Sequence, residues 1–191
     1  MTNRAIVFDL YGVLGLNGWQ DCKTRHFDGR WEAWEPLRQL GQKVDAGEAS
    51  EDEFVAAIAQ ATGETSEEVW HHLSHTKPNT ELLAFIRKQL KPQYKIGILS
   101  NASRNVLSGI FTPDDEALFD TVVLSMHMGL TKPDLAMFRF ACKKLGVQPE
   151  HVVFIDDQKR HLAPAKAVGM KPLHYESNAQ IIADLTRILP P

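Results

Sequence analysis

The stretch Ala5-Ile-Val-Phe-Asp-Leu-Tyr-Gly-Val-Leu14 decides the fold of this chain. Its apolar run is too short for a buried helix and ends on a carboxylate close to Gly12, a pattern typical of a buried β-strand followed by a loop. In open α/β sheets, ligands bind at the carboxyl ends of the strands. The stretch therefore predicts that Asp9 lies at the tip of a strand, where it is placed for chemistry.

Three later stretches repeat this design of an apolar run followed by polar residues. They are Ile96–Asn101, Leu124–Pro133 and Val152–Asp157. The segments between them carry helical patterns, and regular strand and helix alternation favours a parallel sheet with right-handed crossovers. The predicted fold class is thus α/β, a Rossmann-like doubly wound parallel sheet on which four strand ends converge.

A helical insertion interrupts this alternation early. The second core strand does not arrive until about Tyr94, so we interpret residues 15–77 as a small helical cap and residues 1–14 and 78–191 as the core. Pro78-Asn79 is the predicted hinge between them.

Helix signals support the interpretation of the insertion. Ser50-Glu-Asp-Glu53 and Thr65-Ser-Glu-Glu68 each have the form of a capping box ahead of apolar residues. A further helix is expected from Trp31 to Gln42, with Pro36 forcing its start to lie close by. Beyond the hinge, residues 80–90 are expected to form a core helix.

Composition narrows the functional classes. The 191 residues suffice for one domain plus a small insertion, and 21 basic against 24 acidic side chains give a net charge of −3. There is no basic run to bind a phosphate backbone, so nucleic acid is not an expected partner. Two cysteines without metal spacing suit a reducing compartment. The N-terminal stretch is typical of neither a signal peptide nor a membrane span, and we expect a cytoplasmic protein.

The four strand ends together resemble the haloacid dehalogenase superfamily, whose members are mostly phosphate-transferring hydrolases. The family pattern falls on Asp9, Ser100, Lys132 and Asp156-Asp157, in that order and over nearly the whole chain. Each motif alone is weak, since an aspartate after a strand is more often a helix cap. The Phe-Asp-Leu-x-Gly-Val-Leu and Phe-Ile-Asp-Asp runs are most similar to sugar-1-phosphate phosphatases and to the phosphatase domain of soluble epoxide hydrolases.

The resemblance implies a phosphatase that acts on a small phosphorylated metabolite, such as a sugar phosphate, through an aspartyl-phosphate on Asp9. Lys132 would neutralise charge, because an anionic nucleophile and a phosphate dianion repel each other. Paired acids suit Mg²⁺, a hard ion that takes few protein ligands. The implied Mg²⁺ ligands are Asp9, the carbonyl of Tyr11, Asp156 and Asp157. The residues implied to hold the phosphoryl group are Leu10, Tyr11, Ser100, Asn101 and Lys132.

Tyr11 departs from the family pattern, in which most phosphatases carry a second aspartate that transfers protons. Losing general acid–base assistance typically costs about 10² to 10⁴-fold in rate, unless the leaving group needs no proton or a water, His161 or a cap residue supplies it. The Asp-x-Tyr-Gly start is also similar to the metal-independent 2-haloacid dehalogenases, which is the first alternative. A phosphate-binding regulatory protein with low activity is the second.

The predicted cap is rich in aromatic and cationic residues that suit a small-molecule pocket. We expect most of its tryptophans to pack in the cap core, and one arginine near its start is a candidate for binding a substrate carboxylate or halide. The residues concerned are Trp19, Trp31, Trp34, Trp70, Arg25, Arg30, His26, His71, His72 and His75.

Overall fold

A central parallel sheet organises the computed structural model, which describes residues 5–16, 18–45, 48–74, 76–102 and 107–189. The sheet has five strands in the order β5-β4-β1-β6-β7, and each neighbouring pair is parallel. A separate pair, β2 and β3, is antiparallel. The strands are β1 (Ala5–Phe8), β2 (Gly15–Leu16), β3 (Lys77–Pro78), β4 (Lys95–Ser100), β5 (Thr121–Leu124), β6 (Val152–Asp156) and β7 (Lys171–His174).

Helices connect the strands and cover both faces of the sheet. The α-helices are α1 (Gly18–Phe27), α2 (Trp31–Asp45), α3 (Glu51–Thr62), α4 (Ser66–Ser74), α5 (Thr80–Phe85), α6 (Leu107–Ile110), α7 (Pro113–Glu116), α8 (Leu135–Leu145), α9 (Lys159–Ala167) and α10 (Asn178–Ile188). A π-helical turn over Ile86–Leu90 continues α5. Short 3₁₀ turns cover Ser125–His127 and Pro149–His151. No helix in the described ranges has the length and apolar character needed to cross a membrane.

The two faces of β1 bury alternate residues against different helix layers. Ile6 and Phe8 belong to one buried cluster, which includes apolar residues of α5 and α10. Ala5 and Val7 belong to the second cluster, which includes residues of α8 and α9. This period of two is the expected behaviour of a strand covered on both sides. The α/β fold class predicted from the sequence is confirmed.

The inserted segment is helical and buries its own apolar cluster. Helices α1 to α4 contribute buried residues that pack together, and these are Cys22, Phe27, Trp34, Leu37, Val55, Ile58 and Val69. Both predicted capping boxes are present, at Ser50 and Thr65. Helix α2 is longer than expected and contains Pro36 in its interior. Its burial against α3 outweighs the single backbone hydrogen bond that a proline removes.

The chain crosses between the core and the inserted helices through the paired strands β2 and β3. Asn79, next to β3, is buried, and its backbone N–H donates to the carbonyl of Leu14 at 2.8 Å. Its side-chain amide donates to the carbonyl of Val13 at 2.8 Å and is also bonded to Asn178 and Tyr175. The two crossings are therefore fixed to each other and to the core.

Candidate active site

Asp9 lies directly after β1, at the carboxyl edge of the sheet. Its backbone N–H donates to the carbonyl of Ile155 at 2.8 Å, which extends the pairing with β6 by one residue. Its side chain is buried, and Oδ1 accepts a hydrogen bond from the Leu10 N–H at 2.7 Å. The Asp9 carboxylate is thus held in place by the backbone that follows it.

The ammonium group of Lys132 bridges two carboxylates. Its Nζ lies 2.9 Å from Asp9 Oδ2 and 2.7 Å from Asp156 Oδ2, with all three side chains buried. Asn101 fixes the backbone of Lys132, because its amide accepts from the Lys132 N–H at 2.7 Å and donates to the Lys132 carbonyl at 3.1 Å. Burial by itself lowers the pKa of Lys132, but Asp156 and Asp9 outweigh it and raise the pKa, so the lysine stays charged.

Asp156 has a partner for both of its oxygen atoms. Oδ1 accepts from the Gln158 N–H at 2.7 Å, while Oδ2 faces Lys132 and lies 2.9 Å from His161 Nδ1. Burial alone would raise the pKa of Asp156, but Lys132 and His161 outweigh it and hold that pKa well below its usual range. Asp156 is therefore a permanent anion.

In contrast to Asp156, the carboxyl groups of Asp157 and Asp9 have raised pKa values. Burial, reinforced by the charge of Asp156, raises the pKa of Asp157 to about 6. Burial also raises the pKa of Asp9 well above its ordinary value, since Lys132 offsets only part of the burial and of the repulsion from the other two carboxylates. Asp157 Oδ1 is buried and has no hydrogen-bond partner among the described residues. This edge of the sheet thus holds more negative charge than its own residues neutralise.

Gly12 makes the approach of Asp157 possible. Its φ of +82° lies in the left-handed region, and a Cβ built there would lie 2.5 Å from Asp157 Oδ2. Only glycine adopts this φ without strain and also leaves room for the Asp157 carboxylate. The loop after β1 and the loop after β6 therefore pack against each other at this point.

The donor set fits a divalent cation. Among the described residues, Asp9, Asp156 and His161 have ligand atoms within 4.8 Å of one another. His161 Nδ1 and both oxygens of Asp156 are engaged with each other and with neighbouring groups, while the buried Asp157 Oδ1 and His161 Nε2 have no hydrogen-bond partner among the described residues. With all three carboxyls ionised, one ammonium leaves a formal net charge of −2, and oxygen ligands are those that Mg²⁺ prefers. A hard divalent ion beside Asp9 and Asp157 matches both the charge and the unpartnered oxygen.

A cavity of about 220 Å³ opens onto these groups. Asp9, Tyr11, Ser100, Asn101 and Lys132 line it. Asp156 and Asp157 are not among its lining residues. The N–H of Leu10, the remaining predicted phosphate ligand, instead donates to Asp9.

The inserted helices supply the opposite wall of the cavity. Its apolar part consists of Val44, Phe54, Val55, Trp70 and Leu73, and its polar part consists of Arg38, Gln42, Asp45 and Glu51. The core adds Arg160 and His161 from α9. With its amide oxygen turned toward the arginines, Gln42 accepts hydrogen bonds from both Arg38 and Arg160. The cavity therefore has an apolar part and a charged part that contains both arginines and carboxylates.

Several expectations about the predicted cap need correction. Arg25, His26 and His72 cluster around Glu64, at 3.7, 3.0 and 3.9 Å, and none of them lines the cavity. The cavity arginine of the inserted helices is Arg38, which no sequence motif singled out. Trp34 is buried in the helical cluster, as predicted. The side chains of Trp19 and Trp31, and the whole of His75, lie outside the part of the chain that the structure describes.

The sequence matches the haloacid dehalogenase-like hydrolase family over residues 3–169. It is 29% identical to the sesquiterpene phosphatase astK of Aspergillus oryzae, over 98% of this chain and 97% of that protein. It is 29% identical to the drimenol cyclase drtB of Aspergillus calidoustus over 97% of this chain, and 26% identical to the bifunctional epoxide hydrolase 2 of Sus scrofa over 98% of it. The chain spans only 36% and 39% of the lengths of these last two proteins.

Solved structures share the fold over nearly the whole chain. A HAD-like hydrolase from Porphyromonas gingivalis is 28% identical, with a TM-score of 0.72 and full coverage of both chains. A HAD family enzyme from Bacteroides thetaiotaomicron, solved with magnesium and inorganic phosphate, is 20% identical over 92% of this chain and 95% of its own, with a TM-score of 0.64. A dehalogenase is 18% identical over 98% of this chain and 97% of its own, with a TM-score of 0.69.

Proposed function

Because the chain belongs to the haloacid dehalogenase-like hydrolases, we propose that it is a Mg²⁺-dependent phosphatase that forms an aspartyl-phosphate on Asp9. The substrate class is a small phosphorylated metabolite. The phosphatase relatives support this class, and the magnesium and phosphate bound to the Bacteroides enzyme of the same fold agree with the cofactor.

One observation carries the proposal, the excess negative charge at the carboxyl edge of the sheet. Two unit charges about 3 Å apart repel by roughly 5 kcal/mol at an effective dielectric of about 20, so the approach of a phosphate dianion to Asp9 needs cations. Lys132 supplies one, 2.9 Å from Asp9. The unpartnered Asp157 Oδ1 indicates where a second belongs.

Each residue then has a distinct role. Asp9 attacks phosphorus, Lys132 stabilises charge on the phosphoryl oxygens, and Ser100 and Asn101 bind the group from the end of β4. When bound, Mg²⁺ supplies electrostatic stabilisation of the phosphoryl group, and Asp9, the Tyr11 carbonyl, Asp156 and Asp157 would hold it directly or through water. Asp156 also keeps Lys132 charged and in position.

The inserted helices select the substrate in this proposal. We assign residues 15–77 to a cap whose apolar and charged residues line the same cavity as the nucleophile. Closure of such a cap excludes water from the reacting groups. The apolar wall favours a phosphate ester with a hydrophobic part over a fully polar one.

A 2-haloacid dehalogenase is the second candidate, favoured by Tyr11 and by the dehalogenase fold neighbours. Displacement of halide from carbon brings no dianion to the site. The additional buried carboxylate of Asp157 would then have no cation to bind. Its burial, which raises its pKa, would destabilise the protein without serving the reaction. For this reason we favour the phosphatase.

Purified protein tested with phosphate esters and with 2-chloropropionate, each with Mg²⁺ or with EDTA, separates the candidates. We expect phosphate release that EDTA abolishes and that Asp9→Asn removes, while the exposed control Asp114→Asn keeps full activity. Halide release that is indifferent to EDTA would establish the dehalogenase instead. Ligand binding without product would indicate a regulatory phosphate-binding protein.

A further inference from the structure

The proposed reaction needs a proton donor for the leaving oxygen. Position 11 carries tyrosine in place of the carboxylate that the phosphatase resemblance implies. His161 lines the cavity, but its Nδ1 lies 2.9 Å from the Asp156 carboxylate, so a neutral imidazole carries its single proton on Nδ1 and has none on Nε2 to donate. Another group on the cavity wall is therefore the better candidate for the donor.

We propose that Asp45, the last residue of α2, is the general acid for the leaving group and the general base for the attacking water. This assignment rests on the proposed phosphatase function. It would make the inserted helices part of the catalytic machinery as well as a cover.

The position of Asp45 supports this role. Asp45 lines the cavity that Asp9 and Lys132 also line. The end of α2 meets the core here, where the Ser125 hydroxyl donates to the Asp45 carbonyl at 3.4 Å. Among the hydrogen bonds between described residues, none involves the Asp45 carboxylate.

The charged groups around Asp45 are consistent with proton transfer. Lys132 and Arg160 face it from the core, and Glu51 faces it from the start of α3. Burial raises the pKa of Asp45 to about 7, with Glu51 adding to the rise and the two cations opposing it. A group that titrates near neutrality is suited to give and then take a proton. Glu51, the other carboxylate of the inserted helices on this cavity, lies in the first turn of α3.

The proton balance closes over the two steps. In the first, Asp9 forms a bond to phosphorus, the bond from phosphorus to the leaving oxygen breaks, and Asp45 gives its proton to that oxygen. In the second, the Asp45 carboxylate takes a proton from water, whose oxygen bonds to phosphorus while the bond from phosphorus to Asp9 breaks. Phosphate leaves, Asp9 is again a carboxylate, and Asp45 is again protonated.

The test is the dependence of the rate on the leaving group. With Mg²⁺ present, we expect Asp45→Asn to lose about 10² to 10⁴-fold in kcat/KM on phenyl phosphate and on an alkyl phosphate, whose leaving oxygens need a proton. It should lose far less on 2,4-dinitrophenyl phosphate, whose leaving group departs as an anion. The matched control is Asp52→Asn, which removes an exposed cap carboxylate outside the cavity.

A second variant tests the same idea by rescue. Tyr11→Asp places a carboxylate where the resembling phosphatases have one, and in the Asp45→Asn background it should restore most of the activity on phenyl phosphate. The wild-type protein gives an independent measure that needs no variant. Its rate on phenyl phosphate should fall at alkaline pH, as Asp45 loses its proton, while its rate on 2,4-dinitrophenyl phosphate should not.

The failures are distinguishable. If the wild-type protein releases phosphate from none of these esters, the proposed function is wrong. If it does release phosphate, but Asp45→Asn lowers kcat/KM for all three esters equally or for none of them, Asp45 is not the acid and the phosphatase proposal stands. Equal alkaline limbs for the good and the poor leaving group would overturn the assignment even if Asp45→Asn failed to fold.

Discussion

Replacing Asp157 by asparagine should stabilise the metal-free protein, although it removes a residue that we assign to the active site. The carboxylate at position 157 is buried beside Asp156, and burial raises its pKa to about 6 from an ordinary 3.8. The folded state therefore holds a proton more tightly than the unfolded state does. Between pH 3.8 and about pH 6 the free energy of unfolding therefore falls as pH rises. Above about pH 6 the full destabilisation by the buried charge is present.

The size of the effect follows from the shift. About two pKa units correspond to roughly 3 kcal/mol, which asparagine should recover because it is neutral and of the same shape. For a protein of this size, 1 kcal/mol moves the midpoint of thermal unfolding by about 2 to 4 °C, so the variant should melt roughly 6 to 12 °C higher at pH 8. At pH 3.5, where Asp157 is protonated in the folded state and largely protonated in the unfolded state, the difference should nearly vanish.

Thermal unfolding of both proteins in EDTA, from pH 3.5 to 8.5, measures this difference. Mg²⁺ should raise the midpoint of the wild-type protein and leave Asp157→Asn almost unchanged, because the ion neutralises the charge that the variant lacks. Asp52→Asn, on an exposed cap position, should follow the wild type throughout. A variant that is less stable than the wild type at pH 8 in EDTA would refute the argument that this carboxylate is held at a cost.

Other substitutions test the site and the core. Lys132→Met should abolish phosphate release and destabilise the protein by about 3 to 5 kcal/mol in urea unfolding, because it leaves the buried Asp9 and Asp156 without their shared cation. Gly12→Ala should weaken Mg²⁺ affinity by about 10 to 100-fold in a titration followed by thermal shift, since its Cβ displaces Asp157. Phe138→Ala, which removes a fully buried ring packed on Phe154 at 5.3 Å, should cost about 3 to 5 kcal/mol in the same urea assay without moving the Mg²⁺ dependence of activity.

The core of the fold could be predicted because its strands are short, buried and followed by polar residues. Asp9, Ser100, Lys132 and Asp156 come from stretches more than 20 residues apart, and parallel strands bring their ends to one edge whatever the loop lengths. The interactions between these side chains could not be predicted from the sequence. Nothing in the sequence shows that Asn101 fixes the backbone of Lys132, or that both Asp156 oxygens are taken by its neighbours.

The inserted helices were harder to predict, because an amphipathic pattern shows which face is buried and not what the other face meets. From the sequence, Arg25 and His26 were as good candidates as Arg38 for lining the cavity. In the structure, Arg25 and His26 lie next to Glu64 instead. Asp45 belongs to no sequence motif. An acidic residue at the C-terminal end of a helix is electrostatically unfavourable, and the sequence alone predicts an ordinary surface residue there. Only the contact between α2 and the core identifies it.

The paired strands β2 and β3 have a consequence for how this protein can diversify. Both ends of the inserted segment leave the sheet side by side, hydrogen-bonded across Gly15–Pro78 and Leu16–Lys77, and Asn79 fixes them to the core below. An insert of another length or shape needs only two neighbouring attachment points to be grafted there. The carboxyl edge of the sheet would keep its geometry through such an exchange, while all the side chains that the insert places near it would be replaced.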